Sequence, residues 1–159
     1  MAAGAYILNG ADLREAYGLI VEGGSGSFLA LPARKEPLSH DFRDRDGLDV
    51  DLWQPRFRAR EFTLSCALCA PGRDAFWARY NALFTELAGS GAHELEIADL
   101  ARKFRVYYKE QRNVRKLTPL DGAAGGAWLR FDLVLAEASW EDNMDRVYLV
   151  DHEGRHLTT

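Results

Sequence analysis

"EFTLSCALCAPGRDAFWARYNALFTELAGSG", residues 61 to 91, changes its hydrophobic period once, at Pro71-Gly72, and that change decides the fold. Before the proline, Phe62, Leu64, Cys66 and Leu68 recur at every second position, the period of a strand with one face in the core. After it, Phe76, Trp77, Tyr80, Leu83, Phe84 and Leu87 fall on one stripe at helical spacing. Pro71 and Asp74 suit a first turn and Gly89 a stop. The spacing therefore predicts an amphipathic helix over about 73–88, with Phe76, Trp77, Tyr80, Phe84 and Leu87 packed on a sheet.

Upstream, "AYILNG" reads as a strand ending in an Asn-Gly turn, "ADLREAYG" as a helical turn and "GLIVE" as a second strand. "GGSGS", residues 23 to 27, has the composition of a mobile loop, and "FLALPARKEP" resumes extended structure between Pro32 and Pro37. Leu48, Val50 and Leu52 alternate with Asp49 and Asp51, as in a strand with one wet face. Phe57 and Ala59 have the opposite parity to Phe62, which places a bulge or a new strand start near Arg60 and Glu61. Downstream, "HELEI", "KFRVYYKEQ" and "AWLRFDLVLAEAS" are strands. Phe104, Val106 and Tyr108 share a face of the second, and Leu129, Phe131, Leu133 and Leu135 a face of the third. "LTPLDGAAGG" is a loop, and the tail "VYLVDHEGRHLTT" a hairpin turning at His152 to Gly154. The expected fold is mainly β (α+β): a β-sandwich or open β-barrel with one helix on the sheet and a C-terminal hairpin over 140–159. All of it forms a single domain over 1–159.

With 47% hydrophobic and 28% charged residues the chain can build a core, and a net charge of −4 offers no basic field to nucleic acid. No run approaches the ~18 apolar residues of a bilayer span, and the start lacks the basic and apolar regions of a secretory signal. Synthesis in the cytoplasm, without a membrane partner, is the expectation. Cys66 and Cys69 form a C-x-x-C pair, but within one strand they face opposite sides and no second ligand pair follows. Neither a metal nor a mutual disulfide is expected there. An EF-hand register through Gly47 places Asp44 and Asp46 correctly but puts Phe42 and Trp53 at the first and last ligand positions. His40, His93, His152 and His156 are scattered, the last two flanking the final turn.

No nucleophile elbow, phosphate loop, zinc-protease or dinucleotide motif is present, so neither a cofactor nor an enzymatic role is expected. A hydrolase using Asp49 or Asp51 would need those carboxylates to share a concave pocket. "RDRDGL" reads better as a hairpin with Asp46-Gly47 at its turn, its acids keeping the edge wet. The adjoining basic run Arg56, Arg58, Arg60, with Arg34 and Lys35, lies against this acidic stretch. Oppositely charged strips suit a subunit that packs head-to-tail. The candidate interface thus comprises Asp44, Asp46, Asp49 and Asp51, the arginines Arg34, Arg56, Arg58 and Arg60, and the apolar Trp53 and Phe57.

The order of elements carries a resemblance. "AYGLIVEGGSGSFLALPARKEP", the acidic "RDRDGLDVDL", "PRFRAREFTLSCAL", the "DAFWARYNALFTELAGSG" helix, "HELEIADL", "KFRVYYKE" and "WLRFDLVLAEAS" follow one another. Over residues 5–139 this resembles the N-terminal domain of phage distal tail proteins and related tail-tube-like proteins of siphophages and prophages. The resemblance implies a structural, non-enzymatic subunit that forms a hexameric ring at the junction of tail tube and baseplate. Its partners would be itself and other tail proteins, and its location the virion tail. Fuller members add a second C-terminal β domain, whereas these 159 residues leave room only for the closing hairpin, so the receptor or carbohydrate binding that such added domains carry is not expected here. The competing reading is a small β-sandwich module for carbohydrate, with Trp53, Trp128 and Trp140 as stacking platforms.

Overall fold

Asn9 and Gly10 both adopt left-handed backbone (φ 50° and 85°), as a two-residue hairpin turn requires, and join β1 (Tyr6–Leu8) to β2 (Ala11–Asp12). The Asp12 carboxylate accepts hydrogen bonds from the amides of Arg14 and Glu15 at 2.8 and 3.2 Å. It thereby caps α1 (Leu13–Tyr17), which ends at Gly18. The structure, a computed structural model, describes residues 6–121, 125–139, 143–144, 149–150 and 156–157.

β3 (Leu19–Gly23) follows, then a 3-10 turn over Ser25–Leu29 and two short strands, β4 (Ser39–His40) and β5 (Asp49–Val50). β6 (Glu61–Ala70) leads into α2 (Arg73–Leu87), and β7 (His93–Ile97), β8 (Arg102–Lys116) and β9 (Ala127–Glu137) complete the main sheet. Its order is β2-β1-β7-β8-β9-β6-β3, with every pairing antiparallel. Among the described residues β4 pairs only with β5, and β10 (Leu149–Val150) only with β11 (His156–Leu157). The closing hairpin thus forms as expected, and its turn at His152 to Gly154 lies outside the described residues.

This sheet is not flat. Six interstrand steps of ~4.8 Å would hold β2 and β3 about 29 Å apart. They are joined by α1, whose five residues rise only about 7.5 Å. α1 packs on β1 and β2 at one margin and on β3 at the other, so the sheet curls round it. The result is an open barrel, not a closed one, because β2 and β3 never pair.

The concave face is the core. Phe62, Leu64, Cys66 and Leu68 of β6 are fully buried, and Leu129, Phe131, Leu133 and Leu135 of β9 lie beside them. "GGSGS" leads into the 3-10 turn and packs against β6. Gly24 (φ 105°) passes so close to β6 that an added Cβ would stand 2.2 Å from the Thr63 carbonyl oxygen. The Ser27 hydroxyl exchanges hydrogen bonds with the Thr63 backbone, and Phe28 stacks on Phe62 with centroids 4.1 Å apart. The convex face is polar, crossed by Glu22–Arg130 (3.0 Å), Ser65–Asp132 (3.2 Å) and Glu61–Lys109 contacts.

α2 departs from its expected stripe. Phe76, Leu83 and Leu87 are buried and Tyr80 partly so, but Trp77 is 47% and Phe84 55% exposed. A helix on a single sheet buries a narrow strip, and the flanking aromatics lie along its margin: Trp77 meets Phe76 and Tyr80 edge-on, and Phe84 meets Tyr108. Trp77 is therefore not a core residue. Phe76→Ala is expected to cost about 3–5 kcal/mol and Trp77→Ala clearly less, read from urea unfolding midpoints. Equal losses would mean that Trp77 packs as the core does.

Candidate subunit interface

Between the 3-10 turn and β6 the chain leaves the sheet. Residues 31–59 form an arm in which only Pro32 and Pro37 are even partly buried. Two limbs run antiparallel and are tied by backbone bonds: Arg58 N to Ala33 O (2.7 Å), Lys35 N to Arg56 O (2.8 Å) and Asp51 N to Leu38 O (2.8 Å). Arg34 bridges Phe57 in the same ladder, and β4 and β5 continue it toward the tip. The expected acidic hairpin is thus present, but Asp46-Gly47 is not its two-residue turn: β4 and β5 are joined by the loop 41–48, whose hydrogen-bonded turn runs from Phe42 to Arg45, and Gly47 (φ 77°) lies further along it. Its apolar alternation does not mark a buried face, however. Leu48, Val50 and Leu52 are all exposed, because no second layer among the described residues covers the arm.

The acidic and basic strips are the two ends of this one arm rather than separate edges. Asp44, Asp46, Asp49 and Asp51 lie toward the tip and Arg34, Arg56 and Arg58 toward the base, all exposed. Trp53, 85% exposed, shares a cleft of about 300 Å³ with Arg34, Lys35, Leu38, Asp51 and Arg56. At the tip Arg45 reaches Asp49 at 3.4 Å and lies over the Phe42 ring. Such exposed pairs contribute about 0–1 kcal/mol. Asp49 and Asp51 both line an open depression beside His40 and Phe42, but each is already engaged: Asp49 pairs with Arg45, Asp51 accepts from the Trp53 amide at 3.0 Å, and both are exposed.

Arg60 is the exception. It belongs to the base of the arm in sequence, yet its side chain is 7% exposed and is bound inside the subunit. Its Nη2 and Nε donate to Glu137 Oε1 at 2.8 and 3.3 Å, and its Nη1 donates to the carbonyls of Ala30 and Phe28 at 3.0 and 3.4 Å. The backbone joins in: Arg60 N donates to Glu137 Oε2 (3.0 Å), and Glu137 N to Arg60 O (2.9 Å). One guanidinium therefore fastens the departing limb at Ala30, the returning limb at Arg60 and the end of β9 at Glu137. Sequence parity is consistent with this but does not single Arg60 out, since Arg56 and Arg58 share it. Arg60 is two residues before Phe62 and Glu137 two after Leu135, so both charges occupy core-facing positions on neighbouring strands.

Other candidates separate. Cys66 is buried and Cys69 half-buried, both as free thiols, and burial raises the Cys66 thiol well above its usual pKa, helped by the charges of Asp132 and Glu22. His93, unremarkable in sequence, is buried beneath the end of α2, with its ring 3.1 Å from the Leu87 carbonyl and 2.9 Å from Asn9 Nδ2. Trp128 donates its indole N–H to the Gly125 carbonyl (2.9 Å), while Trp140 lies outside the described residues. Among the described residues no three His, Cys, Asp or Glu side chains converge on a point, and no helix is long and apolar enough to cross a membrane.

The fold matches a solved structure. The chain is similar to SPP1 Dit (gp 19.1), a hub protein of the adsorption apparatus in phages that infect Gram-positive bacteria, with a TM-score of 0.62. Sequence identity is 14%, and the match covers 85% of this chain and 49% of that protein, so the chain spans about half its length. At that identity the likeness is one of fold. No protein-family model matches the sequence, and no curated protein matches it.

Two outcomes are expected from this geometry. Arg60→Met or Glu137→Leu leaves a buried charge without its partner and should cost about 3–5 kcal/mol, while the two changes together should cost less than either alone. Denaturant titration of the four proteins decides it, and additive losses would mean the two groups act independently. A thiol reagent should label native protein at Cys69 alone, with Cys66 reacting only after unfolding.

Proposed function

We propose that the chain is a non-enzymatic structural subunit of a phage or prophage tail, assembling into a ring at the junction of tail tube and baseplate. The observation that carries this reading is the fold match to a tail hub protein over 85% of the chain. The arm adds a physical reason for assembly. A free subunit that exposes Leu31, Leu38, Leu48, Leu52 and Trp53 on one projection has apolar surface to cover, and a neighbouring subunit or tail protein supplies the cover. Six subunits are the number that the resemblance implies. Rotational closure requires a heterologous contact, in which the arm meets a different surface on the next copy. The location that goes with this reading is the virion tail, after synthesis in the cytoplasm.

A carbohydrate-binding module is the second reading, favoured by Trp53 standing exposed beside the polar cleft between the limbs of the arm. Sedimentation velocity at high protein concentration and low salt separates the two. The tail reading expects a concentration-dependent large species. A strict monomer whose Trp53 fluorescence shifts on adding oligosaccharide would replace it with the binding module.

A further inference from the structure

β8 has an edge that the subunit leaves open. On one side it pairs with β9 from Val106 to Lys116, with breaks in register between Tyr108 and Glu110 and between Arg112 and Arg115, but on the other β7 accompanies it only from Arg102 to Val106. β7 begins at His93, opposite Val106, because the preceding residues are the turn from α2. From Tyr107 to Lys116, no strand among the described residues occupies that edge. An unpaired run of this length presents backbone donors and acceptors to any extended segment that fits.

The open stretch is basic. Lys109, Arg112, Arg115 and Lys116 stand against the single acid Glu110. Residues 112–116 are all exposed, and Tyr107 and Val114 add apolar surface at 47% and 53% exposure. The arm has the opposite character. From Asp41 to Asp51 it holds five aspartates against two arginines, with Leu48, Val50 and Leu52 exposed among them.

We propose that the acidic tip of one subunit's arm, centred on residues 48–53, adds as a strand along the open edge of β8 in a second copy of the chain. The inference rests on the ring reading and names the surface that receives the arm. Topology favours contact between copies. The arm is rooted where Arg60 and Glu137 lie beside Val106, and the open edge starts next to that row and runs away from it to Lys116, which pairs with Leu129. Among the described residues of one subunit β4 and β5 pair only with each other. Between copies the contact is head-to-tail, the arm of each meeting β8 of the next. Charge complementarity sets the partner and the register, and the ladder with the apolar residues beside it supplies affinity.

A charge swap on the full-length chain tests this. Asp46→Lys with Asp49→Lys reverses the arm, and Arg112→Glu with Arg115→Glu reverses the edge; all four sites are exposed. Unchanged urea midpoints establish that each variant folds. At low salt, each reversal should weaken self-association about tenfold or more by sedimentation, and combining both reversals in one chain should restore it. Hydrogen exchange should show residues 107–116 and 48–53 gaining protection together as wild-type concentration rises. If the wild type assembles but edge reversal changes nothing and 107–116 stays unprotected, the ring reading stands and this contact is wrong. If the wild type stays monomeric throughout, both readings fall.

Discussion

The Arg60–Glu137 ion pair holds together the two parts of this molecule. A charge pair removed from water is costly unless its remaining hydrogen-bonding capacity is met inside the protein. Here it is met by the carbonyls of Phe28 and Ala30 and by the Arg60 amide, and Arg60 also lies over the Phe62 ring at 5.1 Å. The donors and acceptors that satisfy the pair belong to the places where the arm departs and returns. The core can therefore end abruptly at one row of residues while nearly thirty others project from it.

Beyond that row the balance of forces changes. The concave face gathers Phe28, Phe62 and Phe104 within 6.0 Å of one another and closes over α1 and α2, so hydrophobic burial determines every strand register there. Among the described residues the arm has no second layer. Its shape rests on a sparse backbone ladder and on exposed ion pairs of little worth alone. A segment with so little burial has low local stability, which suits a part whose remaining contacts come from a partner.

The strands of the core were legible because period-two alternation reports a half-buried strand directly. β6, β8 and β9 show the faces expected from Phe62, Phe104 and Leu129 onward, and the parity break near Arg60 marked a real boundary. The same rule misled at Leu48, Val50 and Leu52, where the alternation is present but nothing among the described residues packs against it. It also overstated α2, since spacing gives a helical stripe but not the width of the groove that receives it; Trp77 and Phe84 lie at its margin. "GGSGS" has linker composition, yet Gly24 is needed for close approach to the Thr63 carbonyl.

By itself the sequence determined the class of fold, the order of its elements and the segregation of acid from base, since all of these follow from local periodicity and composition. Tertiary structure decided which charges are surface and which are core. Arg56, Arg58 and Arg60 are alike in sequence, and only the neighbourhood of Glu137, 77 residues further on, draws one of them inside. It also decided that the acidic and basic strips form one arm, and that β8 outruns β7 to leave an open edge. Those outcomes depend on pairing between distant segments, and no local pattern encodes where a partner strand stops.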